Sequence, residues 1–343
     1  MYNFEEICRK VLENPAFSIK EFYTYDDEWK DELLNQANHY QSYFDKKLIQ
    51  DYQLGDVLFF INSDEGNSAY AEFSGAYPII SIGALLYKNL AWEFDNNKVF
   101  INQMNDFVHG GLFVSPSPNV DSLMFQAVIN FLFFHELGHI IQFKDGNLAR
   151  RKEATNEKIE DFDIIDHLEE IDADTFACMM AVEQIMHYYS ELSKGFKEYQ
   201  TKETIEKILL IHIVSISQMF ILFMIDDGDF YLKQHTHPHP SIRIMNLVSR
   251  LIEFLNHNLK KRGDFHFDED KESQIYQTSL GLIDTLSKEI FGANHMYNVL
   301  KLAGDFENPI KEYYGELIEL LEEQEYLAVN KRNALIESKQ QDE

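Results

Sequence analysis

The run from Phe125 to Phe134 is mostly apolar and passes without a break into His135-Glu136-Leu137-Gly138-His139. A stretch this long and this apolar must be buried. As a helix it sets His135 and His139 at i and i+4, with both imidazoles on one face about a turn apart. Two imidazoles so placed can grip one metal ion. Glu136 is offset around the same helix, beside the open coordination position, where a carboxylate can take a proton from water. The competing explanation is a buried helix whose histidines only find hydrogen-bond partners, so the choice turns on whether the chain supplies a third ligand.

Composition narrows the chemistry. With 343 residues, 45% hydrophobic and 14% aromatic, the chain has material for a full core and for one large domain or two smaller ones. A formal net charge of -28 argues against nucleic-acid phosphate as a partner and against docking on anionic membranes, both of which need a basic surface. The two cysteines, Cys8 and Cys178, cannot build a disulfide framework or a cysteine-ligated zinc site, so a zinc site must use histidine and carboxylate. Met1 to Glu6 carries no basic segment followed by an apolar one, so a cytoplasmic location is expected. Ile208 to Ile225 is nearly continuous in apolar residues, yet it holds His212, Ser215, Ser217 and Gln218. Those groups would be costly in lipid, so a buried core helix is expected rather than a membrane span.

Three segments have the marks of a small sheet. Val57 to Ile61, Ala69 to Phe73 and Pro78 to Ile82 are short, β-prone and bounded by Asn, Gly and Asp. Gly83 to Leu86 starts the next helix. Gly110-Gly111 and Ser115 to Asn119 form a loop, after which Asp121 or Ser122 can cap the long apolar helix. Lys144 to Asp166 is a polar connection, and helical patterning resumes from Leu168 to Tyr189. Past Arg250 the chain becomes charged, with a linker at Gly263 to Asp270 and amphipathic helices beyond. The expected organisation is an N-terminal helical segment over 1–55, a core over 56–255 and a C-terminal helical region over 256–343. The expected class is α+β and mainly helical.

After His139 the chain reads Ile140-Ile141-Gln142-Phe143, without the glycine and third histidine of the metzincin extension. A catalytic zinc needs three protein ligands and one open position, so a carboxylate from a second helix is sought. Leu168-Glu169-Glu170-Ile171-Asp172-Ala173-Asp174 supplies candidates in a segment that turns apolar at once. Glu170 is the preferred ligand, with Asp174, one turn on, able to accept the far ring N-H of a metal-bound histidine. Glu169, Asp166, Asp172 and, as a non-carboxylate, His167 are the other candidates.

This combination resembles the gluzincin metallopeptidases of the HtpX and CAAX-prenyl-protease type. The likeness rests on His135 to His139, Glu170 to Asp174, the Asn67 to Ala71 segment with Gly75 and Pro78 to Leu85, and His237-Pro238-His239-Pro240-Ser241-Ile242-Arg243-Ile244. It spans residues 67 to 244. The resemblance implies a zincin-like core whose sheet presents an edge strand beside the histidine helix for an extended substrate. It also implies that His237 or Arg243 stabilises an oxyanion, although Arg243 could instead be tied to an acidic partner. The Lit-type phage-exclusion peptidases are a weaker resemblance among soluble proteins carrying this motif. The expected function is zinc-dependent hydrolysis of a cytosolic protein or peptide, with His135, His139 and Glu170 on the metal and Glu136 as general base. The alternatives are a metal-stabilised interaction or regulatory protein, and a phage-defence or toxin-like protease with one dedicated target.

Overall fold

Leu58-Phe59-Phe60-Ile61 is apolar at every position, and a strand of that kind is stable only with both faces covered. In the protein, a computed structural model, this strand is β1 (Leu58–Asn62), and every residue of it is buried. The structure describes residues 4–13, 17–25, 27–43, 52, 54, 56–63, 68–74, 77–96, 120–144, 148–152, 162–223, 231–263, 265–291, 307–325 and 327–341. The Asn67, Gly75 and Gly110-Gly111 positions and the Ser115 to Asn119 loop lie outside the described residues.

The chain divides into two compact units. The first holds residues 1–90, 132–156 and 320–343. Its sheet has the strand order β1-β3-β2-β4, with β2 (Ala69–Ser74), β3 (Tyr77–Gly83) and β4 (Leu148–Lys152). β1 runs parallel to β3, in register Leu58↔Ile79 through Asn62↔Gly83. β2 is antiparallel to both β3 and β4. Alternate side chains serve opposite faces. Leu58 and Phe60 join Tyr70, Ile79 and the helix α1 (Phe4–Val11) residues Ile7, Cys8 and Val11 in one cluster. Phe59 meets Tyr40 of helix α2 (Lys30–Tyr43) at 5.1 Å between ring centroids. Helix α3 (Ala84–Asn96) starts where the sequence places it.

The segment expected as an exposed edge is β2, and it is not an edge. Beyond the histidine helix the chain returns as β4 and pairs with β2 through Tyr70↔Lys152, Ala71↔Arg151 and Phe73↔Leu148. The outer side of β1 is covered as well. The Gln41 amide donates to Val57 O and accepts from Phe59 N, Tyr23 N donates to Ile61 O, and Ser63 N donates to Glu21 O. A glutamine side chain and a short extended segment thus do the work of a neighbouring strand.

Helix α4 (Val120–Phe143) carries the motif. Val120 is already helical, so Asp121 and Ser122 occupy the first turn rather than the cap. Residues 120–131 of this helix belong to the second unit and 132–143 to the first. In the first unit Phe133, two residues before His135, stacks on Tyr40 with centroids 4.2 Å apart and planes 13° apart. That ring pair fixes the rotation of the helix from which the histidines project.

The second unit, residues 91–131 and 157–319, is helical. Asp163 caps α5 (Ile164–Gly195) by accepting from Ile165 N at 2.9 Å, and Thr201 caps α6 (Lys202–Leu222) through Thr204 N at 3.1 Å. α7 (Pro240–Arg262) has His239 at its N-cap and proline at its first position, and it stops at Gly263, whose φ of 71° suits glycine. α8 (Glu269–Phe291) and α9 (Glu307–Glu323) follow, and α10 (Ala328–Gln341) lies in the first unit. Together these features make the protein mainly helical with a small mixed sheet, an α+β fold.

Two helical stretches among the described residues, Ser122–Phe143 and Lys202–Leu222, are long and apolar enough to cross a membrane by length and composition, and 89% of each apolar window is buried inside the protein. Within α6, His212 and Ser215 find partners in the helix itself, whereas Ser217 Oγ and the Gln218 amide are buried without a hydrogen-bond partner among the described residues. Ser215 Oγ donates to Ile211 O at 2.6 Å, and His212 Nδ1 lies 2.8 Å from Ile208 O. Burial pushes the His212 pKa down to about 4, against about 6.5 in an unfolded chain. The folded form therefore needs this ring neutral. Its contribution is fully present above about pH 6.5 and is lost as pH falls from there towards about 4, because the unfolded chain takes up the proton first. Denaturant titrations between about pH 7 and about pH 4.5 should show a shallower loss of stability for His212→Gln than for wild type. Equal slopes would mean that this ring does not titrate on unfolding.

Candidate metal centre

On α4 the imidazoles of His135 and His139 are 1% and 2% exposed. Their Nε2 atoms lie 3.1 Å apart and their ring planes are perpendicular. Two imidazole lone pairs that close repel unless a proton or a cation sits between them. Two nitrogens on one tetrahedral zinc at ~2.05 Å each are separated by roughly 3.3 Å, so the observed spacing fits a shared metal. Gln142, one turn beyond, puts Oε1 at 2.9 Å from His139 Nδ1. With the Nδ1 proton donated to that oxygen, Nε2 keeps its lone pair for a metal. Glu136 is buried between the two histidines in sequence, at 1% exposed.

The second helix begins under tight restraint. His167 of α5 is fully buried. Its Nε2 donates to His235 O at 2.8 Å, and its Nδ1 accepts from the Tyr313 hydroxyl of α9. Burial outweighs these contacts and lowers its pKa to about 4. Both ring nitrogens are thereby engaged, which removes His167 from the candidate ligands. Past it, Glu169, Glu170, Asp172 and Asp174 are all buried.

Two α7-proximal groups face these acids. Arg243 donates from Nε to Asp174 Oδ2 at 2.8 Å and from Nη2 to Asp174 Oδ1 at 2.7 Å. Its Nη1 stands 3.7 Å from Glu170 Oε2, and its guanidinium lies 4.5 Å from the Phe220 ring centroid of α6. The Asp174 carboxylate, expected to hold a histidine ring, is thus gripped at both oxygens by Arg243. This is the acidic partner that had been the alternative to an oxyanion role for Arg243. His237 Nε2 is 3.6 Å from Glu170 Oε1, and its Nδ1 is 2.9 Å from the Thr236 hydroxyl. His239, in contrast, serves the backbone: its Nδ1 accepts from Ser241 N at 3.1 Å as the α7 cap.

Among the described residues, one group of His, Cys, Asp and Glu is close enough to hold a metal ion. It is His135, His139 and Glu170, each offering one ligand atom within 4.8 Å of the others, and all three are buried. Of the carboxylates weighed from sequence, Glu170 is the one in this group. Sequence reasoning missed Gln142, Thr236 and Phe220. Gln142 had a signal, since i+3 from His139 is the same helix face; the other two depend on tertiary packing.

The family model Peptidase U49 matches residues 115–258. The match supports a peptidase. It runs from the start of α4 to near the end of α7 and so takes in His135, Glu136, His139, Glu170, Asp174, His237 and Arg243. It falls on the Lit-type resemblance rather than on the HtpX type. No curated protein and no solved structure matches the chain.

Asp174 is wholly buried and Arg243 nearly so. Removing one member of such a pair leaves an uncompensated buried charge, at a cost of about 3–5 kcal/mol. Arg243→Met should lose that much in urea unfolding, and the double variant with Asp174→Asn should lose less than the two single variants summed. Additive losses would show that the two side chains do not stabilise each other.

Proposed function

We propose that the protein is a zinc-dependent endopeptidase in which His135, His139 and Glu170 hold the metal and Glu136 is the general base. The observation that carries this reading is the buried His135, His139 and Glu170 group, taken with the peptidase family match over the same residues. Two imidazoles and one carboxylate are the donor set of catalytic zinc with a position left open. Bound there, zinc supplies a Lewis acid that polarises a peptide carbonyl and makes water easier to deprotonate.

The remaining chemistry belongs to the chain. Glu136 takes the proton of the attacking water and returns it to the leaving amine, a role worth about 10²- to 10⁴-fold in rate. Gln142 holds His139 in the tautomer that presents Nε2. Arg243 and Asp174 hold the α5 turn from which Glu170 projects, and Arg243 offsets its charge. His237 donates to the oxyanion of the tetrahedral intermediate; its contacts with Glu170 and Thr236 support this role. Arg243 is spent on Asp174, so His237 is the better candidate for that donation.

A second reading concerns the target. The match to a Lit-type family is compatible with a phage-defence protease that cuts one cytosolic protein, as well as with a general scavenging enzyme. Comparative proteomics of cells expressing wild type and Glu136→Gln would distinguish them, since a dedicated protease leaves one or a few new fragments and a general one leaves many.

Glu136→Gln should retain stoichiometric zinc by elemental analysis and lose activity by at least about 100-fold. His135→Ala should lose both zinc and activity. Normal hydrolysis by the first variant, or full zinc in the second, would refute the assignment.

A further inference from the structure

We propose that Lys331, on a helix outside the family-matched residues, is a positioning residue for the metal-binding face of His139 and acts through Gln142. The inference rests on the metal-site reading above and deepens it. Lys331 Nζ donates to Ile141 O at 2.8 Å and lies 3.2 Å from Gln142 O. Both carbonyls belong to the last turn of α4, among the four that a helix leaves without an internal partner. A lysine ammonium there satisfies the carbonyls and complements the negative end of the helix dipole.

The same turn carries the Gln142 side chain, which reaches back to His139 Nδ1 at 2.9 Å. The contacts run in sequence from ammonium to backbone carbonyl, and from the same residue's amide to the imidazole. If the last turn of α4 frays, Gln142 moves and the His139 ring loses the contact that sets its tautomer and tilt. A metal site responds to such changes at the sub-ångström level, because the two Nε2 atoms must keep the spacing that one ion requires.

Lys331 is itself held from behind. It follows Asn330, whose Nδ2 donates to Leu321 O at 2.7 Å and Gln324 O at 2.9 Å, joining the end of α9 to the start of α10. Leu327 and Ala328 at that joint are fully buried. The lysine is therefore delivered from a fixed base and not from a free tail. Nothing in the α10 sequence announces chemistry, and a charged helix with a lysine in its first turn gives no reason to look there.

The test is zinc affinity of the full-length protein, measured by competition with a chromophoric chelator, alongside the melting temperature of the zinc-free form. Lys331→Met should weaken zinc binding by about 10-fold or more, and Lys331→Arg should restore it, because a guanidinium can still donate to the two carbonyls. Gln142→Leu should weaken it by a similar factor, and should do so even if Lys331→Met folds poorly. Wild-type zinc affinity in Lys331→Met, with or without a lower melting temperature, would reduce Lys331 to a structural cap and overturn the proposal. Absence of zinc binding by the wild type, or undiminished binding by His139→Ala, would instead refute the metal site on which the proposal depends.

Discussion

Glu169, Glu170, Asp172 and Asp174 lie within the first three turns of α5, and each is buried. Burying carboxylates without compensation costs several kcal/mol apiece or forces them to take up protons. Arg243 answers most directly, with two short bonds to Asp174 and a third nitrogen near Glu170. Its guanidinium stays charged at any physiological pH and fits a carboxylate edge-on, which a lysine could not do while also lying over the Phe220 ring. The helix can therefore carry Glu170 beside a fixed cation in an apolar core. Without that pair, the start of α5 would be an acidic strip seeking water.

The grouping of the candidate ligands was legible in the sequence to the extent that it is local. That His135 and His139 share a face follows from helix geometry alone, and Glu170, picked as an acid where the pattern turns apolar, lies in the same group. The strands over 57–61, 69–73 and 78–82 were legible because β-prone runs bounded by turn residues leave few other choices. β4 was not, because Leu148-Ala149-Arg150-Arg151-Lys152 has the composition of a surface connection and only its pairing with β2 makes it a strand. The same limit applies to Asp174. Its i+4 spacing from Glu170 fixed its face, but whether a histidine or an arginine met it there depended on α7, about 70 residues away.

Hydropathy raised a different ambiguity. α4 and α6 satisfy the length and apolarity of a membrane span, yet each is packed within the protein. The measure registers that a segment avoids water and is blind to what replaces the water. The distinguishing information lay in the polar residues. His212 and Ser215 bond to carbonyls one turn back in their own helix, a device that makes a polar side chain tolerable in an apolar core at the cost of one shared acceptor. Ser217 and Gln218, which argued against lipid in the same way, are buried without such a partner among the described residues.

The family-matched residues 115–258 contain every proposed ligand and the proposed base, but they do not contain what holds the histidine helix in place. Phe133 stacks on Tyr40 from α2, which precedes the matched segment. The last turn of α4 is closed by Lys331 from α10, which follows it. A metal site tolerates changes in sequence wherever the ligand geometry survives, and geometry of this kind can be supported by many different neighbours. The match covers the helices that carry the proposed ligands and not β1 to β3 or the terminal helices that support them. It also follows that the matched stretch cannot be treated as a self-sufficient catalytic domain: cut out alone, it would expose the aromatic face that α2 covers and leave the end of the histidine helix uncapped.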